Sequence, residues 1–308
     1  VVHIRVEQWC TAVPKAEAEL KRRQLLDQGL LDRSLKPRSE GDAVLLPLRE
    51  SMGETMRCEF EAFPEQPELP RHELIGGLAL VQEEDRPGAR RLLASRPSLH
   101  SVLLPASPVE GEYRTRRFTV LAGIPTTRTR VTEYGLRFDV DLSLAYFSSR
   151  LSTERQRILA LMGEGERVLD MFAGIGPFAI TLARKARVVF AADLNPDAVH
   201  LMTHNIALNR TGNVLPLLAD AGHLDELELE PFDRIVMNLP MTAPNFLEKA
   251  VRLCRDGGHI HLYAVQEEEG VCLPLIRSVT AGNISERMVR TYSPGRWHAV
   301  YDISVQKR

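Results

Sequence analysis

The chain has 308 residues and a mass of 34.6 kDa; 44% of its residues are hydrophobic, 26% are charged, the net charge is −2 and the mean hydropathy is −0.17. This is a globular protein large enough for two or three domains, not a disordered chain, a collagen or a bundle of membrane spans. Its longest apolar stretches, at 43–48 and 78–81, fall far short of the roughly 20 residues that a spanning helix needs.

The amino terminus alternates like a strand at 2–6 and lacks the apolar core of a secretory leader. A helix is predicted from about Pro14, with Ala18, Leu20, Leu25 and Leu26 as its apolar positions and Gly29 at its end. Strands follow at 42–48 and 56–63. Prolines 64, 67 and 70 then break regular structure and mark a linker. Further strands are predicted at 78–82, 101–104, 118–122 and 136–140. Arginines crowd this region: Arg114, Arg116, Arg117, Arg128, Arg130 and Arg137, then Arg150, Arg155 and Arg157. They suit either a solvated strand face or a surface for an anionic partner. The preference for arginine over lysine fits bidentate phosphate recognition and equally fits genomic base composition. The near-neutral total excludes only a uniformly basic coat.

Four cysteines, Cys10, Cys58, Cys254 and Cys272, stand far apart, with no spacing for zinc or a redox pair. Each is expected to be a small buried hydrophobe, which fits a reducing cytoplasm. No metal site is expected.

After Tyr146 strands and helices alternate, the pattern of a mainly parallel sheet with helices on both faces. Strands are predicted at 167–172, 188–192, 214–218, 234–237, 259–263 and 297–305, with helices at 178–184, 197–209 and 244–254. In such a sheet ligands bind beyond the carboxyl ends of the strands. There the sequence sets Asp170 before the turn Gly174-Ile175-Gly176-Pro177, Asp193 after the second strand and Asp220 after the third. A dinucleotide competes for this series, since alanine is tolerated at the sixth position of a G-x-G-x-x-G fingerprint and Ala179 stands there. Asp170 decides between them. A carboxylate before the loop repels a pyrophosphate and attracts the ammonium of S-adenosylmethionine. Asp193 then suits the ribose hydroxyls and Asp220 the adenine amino group.

Asn238-Leu239-Pro240, at the end of the fourth strand, resembles the N-P-P-Y-type corner of methyltransferases that act on planar nitrogens. Its amide and carbonyl groups can grip a base edge, and Tyr146 and Phe147 can stack on the base. Neither Cys254 nor Cys272 lies on a predicted strand-end loop, which disfavours a carbon methylation begun by a thiolate. Transfer to nitrogen needs instead a base for a ring proton and a donor for charge on the adjacent oxygen.

Four runs then carry a family resemblance: Gly111-Glu112-Tyr113-Arg114-Thr115-Arg116; Tyr146-Phe147-Ser148-Ser149-Arg150-Leu151 with Glu154-Arg155; residues 168–178 from Val168 to Phe178; and Met237-Asn238-Leu239-Pro240. In this order they resemble the archaeal and eukaryotic tRNA (guanine-37-N1)-methyltransferases. The resemblance implies an α/β fold: a Rossmann-like class I methyltransferase domain at 146–308, preceded by a small α+β tRNA-corner-recognition domain at 1–63 and a middle α+β RNA-binding domain at 71–145. It implies an enzyme with tRNA as partner; the cysteines and the short apolar stretches add the expectation of a cytoplasmic protein with no membrane, and a monomer is expected because one copy could engage an RNA as large as tRNA. Methyl would pass from S-adenosylmethionine to N1 of the guanosine 3′ of the anticodon. Glu154 would be the general base and Arg114 would stabilise O6. Asn238 and Pro240 would hold the guanine edge and Tyr146 its face. Asp170, Phe172, Gly174, Gly176, Asp193, Asp220 and Asn238 would surround the cofactor, and Arg116, Arg117, Arg150 and Arg155 would meet RNA. Ser149 departs from the family's proline, loosening the segment that carries Glu154 without removing a chemical group. Three alternatives stay open: the related aminocarboxypropyl transferase of wyosine synthesis, an enzyme that also methylates the wyosine precursor, and a non-catalytic tRNA-binding module.

Overall fold

Strand β1 (Arg5–Pro14) covers the end of the predicted amino-terminal strand and runs on to the residue where a helix is expected to start. The computed structural model describes residues 5–53, 55–63, 68–108, 111 and 113–307. Residues 2–4 of the predicted first strand, 64–67 of the predicted linker and Glu112 of the first family run therefore lie outside the described residues. After β1 come α1 (Ala18–Asp27), β2 (Arg38–Glu40), β3 (Ala43–Leu48) and β4 (Met56–Glu61), in the sheet order β2-β3-β1-β4. Residues 9–14 of β1 pair with β3 and residues 5–10 with β4. The ladder with β3 holds Pro14 in the strand, opposite Ala43, and the helix begins at Ala18.

The pairing also corrects the expectation of four isolated cysteines. Gln8 stands opposite Cys58 and Cys10 opposite Met56, so Cys10 and Cys58 lie diagonally on one face, where they form a disulfide. Leu35, Leu45 and Phe60 pack around it. Cys254 and Cys272 are free and buried, as expected.

The chain divides into two compact units, 1–68 and 69–308. The second begins with β5 (His72–Ile75), β6 (Leu78–Val81), α2 (Arg86–Ser95), β7 (Ser101–Pro105) and β8 (Phe118–Gly123), a four-stranded sheet in chain order with β6 and β7 parallel. Helix α2 is absent from the sequence reading because Pro87 and Gly88 look like breakers. They occupy its first turn, where proline loses no hydrogen bond and Asp85 caps the Gly88 amide at 2.8 Å. The hairpin of β9 (Arg128–Glu133) and β10 (Leu136–Asp141) follows, then α3 (Ser152–Leu161).

The remaining elements alternate: β11 (Glu166–Asp170), α4 (Pro177–Leu182), β12 (Ala186–Asp193), α5 (Pro196–Asn209), β13 (Val214–Leu218), β14 (Phe232–Met237), α6 (Leu247–Leu253), β15 (Cys254–Gln266), α7 (Leu273–Val279), β16 (Ile284–Ser293) and β17 (Arg296–Ser304). Their seven-stranded order is β13-β12-β11-β14-β15-β17-β16, parallel from β13 to β15 and closed by the antiparallel β17 and β16. The winding reverses between β11 and β14, so a crevice opens at their carboxyl ends. Leu169, Ile235, Ile260 and Tyr301 bury one face of the sheet, and Val168, Val236, Tyr263 and Val300 the other.

The hairpin belongs to the same body as the sheet. Phe138, Val140 and Phe147 share a core with Ile175 and Ile180 of the glycine turn and α4. Two asparagines one turn apart on α5 also dock on the free edge of β10. Asn205 accepts from the Asp139 amide at 2.8 Å and donates to the carbonyls of Asp139 and Ile175, each at 3.1 Å. Asn209 accepts from the Arg137 amide at 2.8 Å and donates to its carbonyl at 2.6 Å.

Candidate functional site

The sequence-predicted cofactor residues come together at the carboxyl edge of the sheet. Asp170 ends β11, Asp193 ends β12, Asp220 follows β13 and Asn238 follows β14, and these four strands are neighbours. Gly174 and Gly176 have φ of 56° and 90°, a left-handed backbone that side chains disfavour. A Cβ on Gly176 would also press on Met202 at 3.0 Å. The Gly174 amide donates to Asp193 Oδ2 at 2.7 Å and the Asn195 amide to Oδ1 at 2.9 Å, fixing the carboxylate beneath the turn. Phe172 packs edge-on against Phe246, centroids 5.3 Å apart. Asp220 caps a 3₁₀ turn, Ala221–Leu227, through the Gly222 amide at 2.7 Å, and its carboxylate stays half exposed.

Asp170 is 1% exposed, and its Oδ1 has no hydrogen-bond partner. Burial pushes its carboxyl up to about 7, opposed by backbone hydrogen bonds from Phe172 and Ala179 and aided by the charge of Asp193. Burial raises Asp193 as well, against three backbone amides. A buried carboxylate with an orphaned oxygen beside a second carboxylate is a site for a cation. The ammonium of S-adenosylmethionine fits such a site.

Asn238 Oδ1 is likewise buried without a partner. The neighbouring carbonyls are engaged: Leu239 accepts from Thr242 and Ala243, and Pro240 from Val265. The free acceptor at this corner is therefore the Asn238 side chain.

A cavity of about 150 Å³ opens among β5, β6, β8, the segment 142–150 and β16. It brings Arg114, Arg116, Tyr146 and Arg150 together with Arg290, which the sequence reading missed. Tyr146 is 48% exposed, and the Arg114 guanidinium lies 5.8 Å from its ring centroid. Arg114 has a φ of 54°, uncommon for a residue with a side chain and frequent where a side chain is aimed for function. Arg117 is exposed.

Glu154 lies in the first turn of α3 and is 4% exposed. Oε1 accepts from Arg157 Nη2 at 2.7 Å, Arg157 Nε at 3.0 Å and the Tyr263 hydroxyl at 2.8 Å; Oε2 accepts from Arg157 Nε at 3.1 Å and from Arg287. Arg157 bridges onward to Asp302 at 2.7 and 3.1 Å. Asp302 accepts from His261 Nδ1 at 2.5 Å, and the other ring nitrogen faces Arg234 at 2.6 Å, which makes His261 a neutral donor to Asp302. Against the cost of burial, the bonds from His261 and Arg157 hold Asp302 well below the usual carboxylate range. Tyr263, Arg287 and Asp302 reach Glu154 or its partner from three strands at the carboxyl-terminal end of the chain. Only strand alternation marks them in the sequence, and the register of antiparallel pairing decides which face they take.

Arg155 is corrected. Instead of meeting RNA it is 2% exposed, bound through Nε and Nη2 to Glu133 at 3.0 and 2.6 Å. Two residues before Arg157 on one helix, it points to the hairpin while Arg157 points to the sheet. Arg128 pairs with Asp141 at 2.9 Å, Arg130 with Asp139 at 2.6 Å and Arg150 with Glu73 at 2.5 Å. Arg128, Arg130, Arg150, Arg155 and Arg157 are thus neutralised within the chain, whereas Arg114 and Arg116 line the cavity with no ion pair among the described residues, beside the pair of Arg150 with Glu73.

Residues 129–282 match the TRM5/TYW2 methyltransferase domain, and residues 10–57 match the tRNA methyltransferase 5 N-terminal domain. The chain is 36% identical to the tRNA (guanine(37)-N(1))-methyltransferase Trm5b of Pyrococcus abyssi, over 95% of this chain and 98% of that protein. The crystal structure of Trm5b from Pyrococcus abyssi superposes with a TM-score of 0.80 at 34% identity, covering 97% of this chain and 99% of the other. A solved complex of aTrm5 and tRNALeu gives 0.74 at 28% identity, covering 96% and 99%. Matching in both domains and along nearly its whole length, the chain belongs to the TRM5/TYW2 methyltransferase family.

Proposed function

We propose that this protein transfers a methyl group from S-adenosylmethionine to N1 of guanosine 37, the nucleotide 3′ of the tRNA anticodon. The observation that carries this reading is Glu154, a buried carboxylate eight residues after the exposed ring of Tyr146 and held by the Tyr263 hydroxyl and the Arg157 guanidinium. Nitrogen methylation needs such a base, and neither free cysteine offers a nucleophile: burial pushes the Cys254 thiol up to about 12 and raises Cys272.

On this reading each residue takes a role. Asp170 receives the cofactor's ammonium, Asp193 its ribose and Asp220 its adenine, with Phe172 and the glycine turn around them. S-Adenosylmethionine supplies an activated methyl carbon when bound. Tyr146 takes the face of the guanine and the Asn238 side chain its edge, with Pro240, whose carbonyl is held by Val265, setting the corner. Glu154 accepts the N1 proton, and Arg114 donates to O6 as negative charge develops there. Arg116, Arg117 and Arg150 meet the RNA backbone. None of the described helices is long and apolar enough to cross a membrane. The protein works as a monomer in the cytoplasm on this reading.

The test is to incubate the protein with unmodified tRNA transcripts and labelled cofactor, then weigh the modified nucleoside. A one-carbon increment on guanosine supports the proposal. A four-carbon amino-acid increment would make the protein an aminocarboxypropyl transferase, and no increment a binding module.

A further inference from the structure

We infer that Arg287 is a tRNA-contacting residue that masks Glu154 in the free protein and moves to an RNA phosphate when tRNA docks. The inference rests on the proposed role of Glu154 as base.

It starts from a saturated carboxylate. A carboxylate offers about four lone-pair sites, and Arg157, Tyr263 and Arg287 fill those of Glu154. To accept the proton of a guanine N1–H, Glu154 must lose a donor. Arg157 is anchored at its other edge by two hydrogen bonds to Asp302. Asp302 is fixed in turn by His261, and His261 by Arg234. Tyr263 is fully buried, with its ring against Phe178 and His298. Arg287 differs on both counts. Its side chain is 48% exposed, and among the described residues its ion-pair partner is Glu154 alone.

The place it leaves for is set by the strand that carries it. Within β16 the pairing with β17 slips between Met288 and Arg290, so Arg287 stands opposite Val300 and Arg290 opposite His298, two positions apart on one face of β17. The bulge thereby turns Arg287 and Arg290 to the same side, where a regular strand would set them on opposite sides. Arg290 lines the cavity with Arg114, Arg116 and the ion pair of Arg150 with Glu73, and its Nε is buried without a partner among the described residues. A phosphodiester entering among these arginines offers Arg287 a bidentate acceptor. Glu154 then gains a free lone pair only when RNA is in place.

The experiment measures tRNA affinity against salt and the single-turnover methylation rate at saturating tRNA, for Arg287→Ala, Arg287→Lys and the unaltered protein. The expected result for Arg287→Ala is an affinity weaker by about tenfold, a salt slope shallower by about one, and a saturating rate within a factor of about three. Arg287→Lys, which keeps a charge for the phosphate, restores most of the affinity and covers the case in which the alanine variant does not fold. A saturating rate lower by tenfold or more with affinity and slope unchanged would overturn the inference, because Arg287 would then stay on Glu154 and position it. No change in any quantity would overturn it too. Glu154→Gln in parallel separates the two claims: a retained rate there removes Glu154 as the base, whatever Arg287 does.

Discussion

The hairpin β9–β10 and the loop at 114–117 are both rich in arginine, and they use it in opposite ways. In the hairpin Arg128 and Arg130 stand across from Asp141 and Asp139 in an antiparallel register, so each positive charge meets a negative one on the next strand. In the loop Arg114 and Arg116 have no ion pair among the described residues and line a cavity beside Tyr146 instead. Equal runs of charge thus give a self-neutralised surface in one place and a site for an anion in the other. What separates them is strand pairing, which the spacing of arginines does not encode.

Substitutions can break or sharpen this contrast. The largest effect is expected for Glu154→Gln: a single-turnover rate lower by about 10²–10⁴, the scale of a general base, with cofactor affinity nearly intact. Arg114→Ala should lower the rate by about 10²–10³, as for loss of a donor to a developing oxyanion, with a smaller change in tRNA affinity. A loss confined to affinity would reassign Arg114 to the phosphates. Arg155→Ala reverses the pattern. Leaving Glu133 buried without its partner should cost about 3–5 kcal/mol in denaturant unfolding, while the folded fraction keeps its rate. Arg130→Ala, at an exposed pair, should change neither stability nor tRNA affinity measurably.

Asp170 supplies a pH test of the cofactor pocket. Its folded pKa, raised by burial to about 7, exceeds the ordinary carboxylate value, so the cofactor-free fold binds that proton more tightly than the unfolded chain does. Its contribution to stability is therefore fully present below about pH 4 and lost as pH rises through about 7. Asp170→Asn should flatten that decline and raise the melting temperature of the cofactor-free protein at about pH 8, while weakening the cofactor. In the unaltered protein, affinity for the cofactor should strengthen from about pH 6 to 8 as the carboxylate ionises to meet the ammonium. An affinity that ignores pH there would place the ammonium elsewhere.

The line of residues along the carboxyl edge of the sheet was legible because its logic is local. Asp170, Gly174, Gly176, Asp193, Asp220 and Asn238 each follow a parallel strand, and such strands present their carboxyl ends along one edge whatever the details of packing. What escaped depends on pairing between distant segments. The disulfide needs the β1–β4 register, the burial of Arg155 needs a glutamate 22 positions away on another element, and Tyr263, Arg287 and Asp302 need the antiparallel closure of the sheet. Helix α2 escaped for another reason: its proline and glycine stop a helix in mid-course and are tolerated at its start.

The two amides that α5 lays along β10 act as a counterfeit strand, offering donors and acceptors at the spacing a neighbour would use. They close an edge that would otherwise recruit another chain. Because Asn205 also grips the carbonyl of Ile175, the hairpin and the glycine turn are fastened to each other through a single side chain.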